Sequence, residues 1–128
     1  MDAAQALADL TEISSQIEAA VLFDESGAIE GSTLSDDGAS QALARAGAEL
    51  LDRVTALRSD GEVTQLEAST AQGSLFVVRS GGRRIAATTG PAPTVGLVFY
   101  DLKSCLRGSE NEPKKPTRTR RKKADDET

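Results

Sequence analysis

The residues of this chain that could do chemistry are two acid pairs, Asp24-Glu25 and Asp36-Asp37, one base pair, Arg83-Arg84, and one thiol, Cys105. A carboxylate pair can move protons or hold a cation. Adjacent guanidiniums can grip a phosphate or act on a partner in trans, and a thiolate is a nucleophile. None of these groups has the company that such chemistry needs. The chain has no His and a single Cys, which removes Ser-His-Asp and Cys-His pairs, His-containing metal sites and thiolate clusters. Gly81-Gly82 and Gly90 belong to neither a Walker-type nor a dinucleotide-binding glycine loop. Ser80-Gly81-Gly82-Arg83, between two apolar runs, reads as a hairpin turn.

Each candidate also has a structural place. Asp24-Glu25 falls in a turn, Asp36-Asp37 at a helix start, Cys105 on an apolar helix face and Arg83-Arg84 at the start of a strand. The expectation is a protein that is not an enzyme and needs no cofactor or metal. The strongest electrostatic feature is Lys114, Lys115, Arg118, Arg120, Arg121, Lys122 and Lys123. Residues 113–128 hold 7 Lys/Arg and 3 Asp/Glu, against 8 and 17 in residues 1–112, so a net +4 follows a net −9. From Ser109 onward there is no Val, Ile, Leu, Met or aromatic residue. Such a segment cannot offset its ordering entropy, which predicts a disordered basic tail over 109–128 after a domain over 1–108. The tail suits weak, salt-sensitive contact with nucleic acid, anionic membrane or an acidic protein surface, or serves only to solubilise. No aromatics interleave, so base stacking is unsupported.

The elements that must position these residues follow from periodicity. Asp2 and Gln5 resemble a capping box, and Leu7, Leu10, Ile13 and Ile17 form one face of a helix from about Ala3 to Gln16. Ala19 to Phe23, the turn Asp24-Glu25-Ser26-Gly27 and Ala28-Ile29 read as a hairpin. Ser35, Asp36 and Asp37 open a long helix from about Asp37 to Ser59, with Leu43, Leu50, Val54 and Leu57 as its apolar stripe. The same helix carries Ala39, Ala42, Ala44, Ala46, Gly47 and Ala48. The alanines could be there simply as good helix formers, but Gly within a helix costs about 1 kcal/mol relative to Ala, so Gly47 favours close approach by a neighbouring or partner helix. Val63 to Thr70, Leu75 to Arg79 and Arg84 to Thr89 read as strands, the first partly exposed and the second the strongest. Thr94 to Arg107 is ambiguous: GLVFYDL alone could be a strand, but Val98, Leu102 and Cys105/Leu106 fit a helix closed by Gly108, which is the reading taken.

The chain has 128 residues, enough for one core, but only three Phe, one Tyr and no Trp. A core of Leu, Val, Ile and Ala is thin at this size, and burial in a dimer would strengthen it. No apolar stretch is long enough to cross a membrane and no secretory pattern opens the chain. With a lone Cys, the expected location is the cytoplasm.

The order helix, hairpin, helix, three strands, helix resembles the Roadblock/dynein light chain domain family, above all its bacterial stand-alone forms. The resemblance spans about Ala4 to Arg107. It rests on ALADLTEI, VLFDESG, the GST after Ile29, ALARAGAELLDRV, LFVVRSGGRRIAATT and GLVFYDLKSCLR. It implies an α+β fold of order α-β-β-α-β-β-β-α. Its five-stranded antiparallel sheet would carry one long helix on one face and two on the other, a profilin-like architecture. It also implies a homodimer in which the long helices pack together and edge strands pair. Carried onto this chain, that interface comprises Ala39, Ala42, Ala46, Gly47, Leu50, Val63, Gln65 and Glu67. Family members bind, regulate or scaffold small Ras-like GTPases. The resemblance therefore implies a non-enzymatic regulator or scaffold for such a GTPase. The alternative is a polarity or structural adaptor anchored by the basic tail. The tail lies outside the family pattern.

Overall fold

The computed structural model describes residues 2–57 and 61–110. Eight elements follow one another: α1 (Ala3–Ile13), β1 (Ile17–Asp24), β2 (Ile29–Ser32), α2 (Asp37–Ala56), β3 (Gln65–Thr70), β4 (Gly73–Ser80), β5 (Arg83–Thr89) and α3 (Val95–Glu110). The strands form one antiparallel sheet in the order β2-β1-β5-β4-β3. The last strand of the chain thus enters the middle of the sheet, and β2 and β3 are left as its edges.

Both faces of the sheet are covered. Ala20, Leu22, Phe76, Val78 and Ile85 meet Leu7 and Leu10 of α1 and Val98 and Leu102 of α3. Val21, Phe23, Val77 and Ala86 meet Ala44 and Leu51 of α2. This explains why Ala19 to Phe23 is an unbroken apolar run: successive side chains point to opposite faces, and each face has a helix on it. In β4, Phe76, Val77 and Val78 are buried in the same way, so the inner strand expected there is present. Phe76 meets Phe99 edge to face, with ring centroids 5.1 Å apart.

The β1–β2 hairpin closes through local hydrogen bonds. The Asp24 carboxylate accepts from the Ser26 hydroxyl at 2.6 Å, the Ser26 amide at 2.9 Å and the Ala28 amide at 3.0 Å. Gly27 takes φ +90°, a value that side chains rarely adopt. Both predicted caps form: Asp2 accepts from the Gln5 amide at 2.8 Å and Asp36 from the Ala39 amide at 2.8 Å. The Gln5 side chain turns to Asp9 at 2.9 Å, so the capping box is only half made.

Three boundaries differ from the periodicity. α1 ends at Ile13, not Gln16, because Ser14 is extended (φ −103°, ψ 116°). Ile17 pairs with Thr89 in the β1–β5 ladder, so sheet pairing takes a residue that helical spacing had claimed. Ile13 is left 71% exposed. α2 ends at Ala56, and its expected end at Ser59 lies outside the described residues. α3 runs through Gly108 to Glu110, and buried Ser109 donates to the Leu106 carbonyl at 2.9 Å. The domain limit drawn at 108 thus falls inside a helix. The expectation of a disordered tail, with Lys114 to Lys123, concerns residues outside those described. Among the described residues, no helix is long and apolar enough to cross a membrane.

Candidate interaction surface

Asp24, Asp36, Arg83 and Arg84 are engaged within the fold, Cys105 is buried in it, and Glu25 and Asp37 are exposed. Asp24 ties its turn, and these bonds, the Ser26 hydroxyl first and the Ala28 amide next, hold its carboxyl below the usual value. Asp36 caps α2. Arg83 pairs with Glu30 across the sheet end at 2.9 Å, and Arg84 donates to the Gly82 carbonyl at 3.3 Å. Cys105 is buried, and burial pushes its thiol up to about 11, away from thiolate reactivity. Among the described residues, no three His, Cys, Asp or Glu side chains converge as metal ligands.

One surface open to contact is the outer side of α2 with the sheet margin near it. Ser40, Ala44, Gly47 and Leu51 recur at helical spacing and are the buried residues of α2. A Cβ on Gly47 would lie 3.0 Å from the Ala86 Cβ and 3.3 Å from a Val77 methyl. The small residue at 47 therefore admits the chain's own sheet. It is not on an outer helix face, which corrects its assignment to a dimer contact. A second row, Leu43, Ala46, Leu50 and Val54, is offset by about 100° from the first and stays half-buried. Ala39, Ala42 and Leu57 are exposed, Leu57 by 83%.

The two flanks of α2 differ. One flank, with Gln41, Arg45 and Ala48, borders an open hollow of about 730 Å³ shared with Ile29 and Ser32 of β2. Leu43, Ala46 and Leu50 occupy the other flank. Half-buried Leu43, Val63, Leu66 and Leu75 pack at the margin of the α2-side core. Leu66 and Ala68 pair with Val77 and Leu75, so they share the α2 face. Gln65 and Glu67 pair with Val78 and Phe76, so their side chains face the α1–α3 layer. Glu67 accepts from the Ser74 hydroxyl at 3.0 Å and from Ser69. At these positions only the backbone of the edge strand is available to a strand-pairing partner.

Arg79, 9% exposed, went unnoticed in the sequence because it ends an apolar strand. Its guanidinium donates to the Val63 carbonyl at 2.6 Å and to the Thr55 hydroxyl at 3.3 Å, and its Nε lies 3.9 Å from Glu62. Its backbone amide donates to the Thr64 carbonyl at 2.8 Å. One buried cation thus pins the end of α2 to the approach of β3, which sets the edge strand beside the apolar flank. An Arg closing an apolar strand just before a polar turn is the signal that could have found it.

No family model and no curated protein sequence matches the chain. Solved structures do. The Roadblock/LC7 domain from Streptomyces avermitilis superposes with a TM-score of 0.76 at 17% identity, over 86% of this chain and 96% of that one. The gliding protein MglB from Thermus thermophilus gives 0.67 at 15% identity, over 86% and 90%. An MglB in a tetrameric arrangement gives 0.72 at 14% identity, over 84% of each chain. With three helices packed as described on one five-stranded sheet, this chain has the Roadblock/LC7 fold.

Proposed function

We propose that the protein is a homodimeric, non-enzymatic regulator or scaffold of a small Ras-like GTPase, working in the cytoplasm. The observation that carries the reading is the apolar flank of α2. Half-buried Leu43 packs with Leu66 and Leu75 at the margin of the α2-side core, Ala46 and Leu50 lie half-buried on the same flank of α2, and no described strand pairs with the outer edge of β3. An apolar strip bordering a free strand edge favours a partner that adds both a helix and a strand. A second copy of the chain has both, related by a two-fold axis. The Roadblock resemblance then supplies the partner class, because a dimer presents a composite surface able to select one nucleotide state of a GTPase. The structural engagement of Asp24, Asp36, Arg83 and Cys105 supports a role without catalysis.

The test combines assembly and binding. Light scattering is expected to give a dimer for the wild type at micromolar concentration and a monomer or aggregate for Ala46→Glu. A Ras-like GTPase from the same cells, loaded with GDP or with a non-hydrolysable GTP analogue, is expected to bind the wild type in one state. A monomeric wild type would refute the dimer. Binding of neither loaded form would refute the GTPase role.

A further inference from the structure

The other side of the sheet carries an apolar groove that the dimer reading leaves open. α1 and α3 lie side by side there, antiparallel: Gln16, just after α1, accepts from the Thr94 amide at 2.6 Å, just before α3. Between them is a cavity of about 270 Å³. That is below the usual range for a drug-sized ligand and fits one or two side chains of a larger partner. Ala6, Leu10, Ile13, Tyr100 and Cys105 give it apolar walls. Ile13 is 71% exposed and Tyr100 64%. Leu97, one turn before Asp101 on α3, is 50% exposed and extends the strip toward the start of that helix. Neighbouring exposed side chains of this size mark an interaction site.

The charge at the groove selects among occupants. The charged residues lining it are Asp9 and Asp101, and Glu12 follows Asp9 one turn along α1. The cations of α3, Lys103 and Arg107, line a separate hollow toward β3 and β4. The negative charge is felt inside the groove, since Asp9 adds to burial in raising the Cys105 thiol. A second copy seated here would bring the same acids against them. The chain's own residues 111–128 are basic but offer no large apolar side chain to fill the cavity. What remains is a segment with bulky apolar anchors flanked by Lys or Arg. Between two antiparallel helices of about two exposed turns, a third helix packs ridge into groove.

We propose that the α1–α3 groove is a docking site for a basic amphipathic helix of a partner protein, anchored at Ile13 and Tyr100 and steered by half-buried Asp9, Asp101 being buried in the groove wall. It lies across the sheet from α2, so each chain of a dimer would offer one.

The full-length protein, labelled for NMR, is titrated with a synthetic leucine–lysine amphipathic helix of about four turns and with its leucine–glutamate counterpart. The lysine peptide is expected to shift the amides of Ile13, Tyr100 and Cys105, with an affinity that falls as salt rises. Ile13→Asp and Tyr100→Ala are expected to weaken it about tenfold or more. Both residues are exposed, so the variants keep the fold, which the remaining amide shifts report. The glutamate peptide is expected to leave the groove unchanged. The proposal fails if shifts spread over the acidic surface without favouring the groove, or if both variants bind as the wild type does. It fails equally if Ile13→Asp reduces the oligomer size of the free protein, which makes a second copy the occupant. Groove amides that move on deletion of residues 111–128 would assign the groove to the chain's own tail and overturn it as well.

Discussion

At the scale of single residues, the side chains with chemical potential are spent on local geometry. Asp24 is the clearest case, because three donors converge on its carboxylate. Its pKa is lowered in the folded state, chiefly by the Ser26 hydroxyl. A lowered carboxyl contributes stability that is present above its unfolded value and lost as pH falls through the folded value. The stability gap between wild type and Asp24→Ala is therefore expected to hold at neutral pH and to narrow below about pH 4. Denaturant melts across a range from about pH 2 to about pH 7 measure it, and a gap that stays constant over that range would contradict the carboxylate's role. Arg79 works differently. Its bonds to Val63 and Thr55 are partly buried, and losing a bond to a charged group costs about 1.5–3 kcal/mol. Its task is to hold two elements together.

At the scale of elements, α2 shows how one helix divides its faces. The row Ser40, Ala44, Gly47 and Leu51 is small over most of its length, so the helix settles close on Val77 and Ala86. The larger Leu43 and Leu50 are displaced to the flank, where they stay half-buried. A bulkier side chain at 47 must lift the helix from the sheet. Gly47→Val is expected to destabilise the chain by about 1–3 kcal/mol through overpacking, despite removing a helix glycine. Urea unfolding would show a lower midpoint with an unchanged slope. Unaltered stability with a changed oligomeric state would instead return Gly47 to the interface. Ala46, one residue earlier and half-buried, is the position at which a charge is expected to act on assembly.

At the scale of the whole molecule, two surfaces and one charge split remain. The α2 flank with the β3 edge suits a second copy, and the α1–α3 groove suits a basic helix. Residues 113–128 carry a net +4 against a net −9 elsewhere, which is the basis of the adaptor alternative. Deleting residues 111–128 is expected to weaken binding to vesicles containing anionic lipid, and binding of the intact chain is expected to fall steeply with salt. Co-sedimentation with and without the deletion measures both. Equal binding by the two forms would leave the basic run as a solubilising extension.

The order of the elements was legible in the sequence because it depends on local signals. The alternation of apolar runs, Asp24 to Gly27 in a turn, and Asp2 and Asp36 as caps each act within a few residues. The absence of His and the lone Cys likewise settle, without coordinates, which His- and thiolate-based chemistries the chain lacks. What needed the tertiary structure was facing and contact between distant residues. Helical spacing assigned Ile17 to α1, yet pairing with Thr89 placed it in a strand. Composition pointed to close approach at Gly47 by a helix, whereas the neighbour that comes close is the chain's own sheet, at Val77 and Ala86. Arg79 and the α1–α3 groove depend on residues far apart in the chain, Thr55 with Arg79 and Ile13 with Tyr100. Periodicity tells which residues share a face; what that face meets is decided by how the chain folds back on itself.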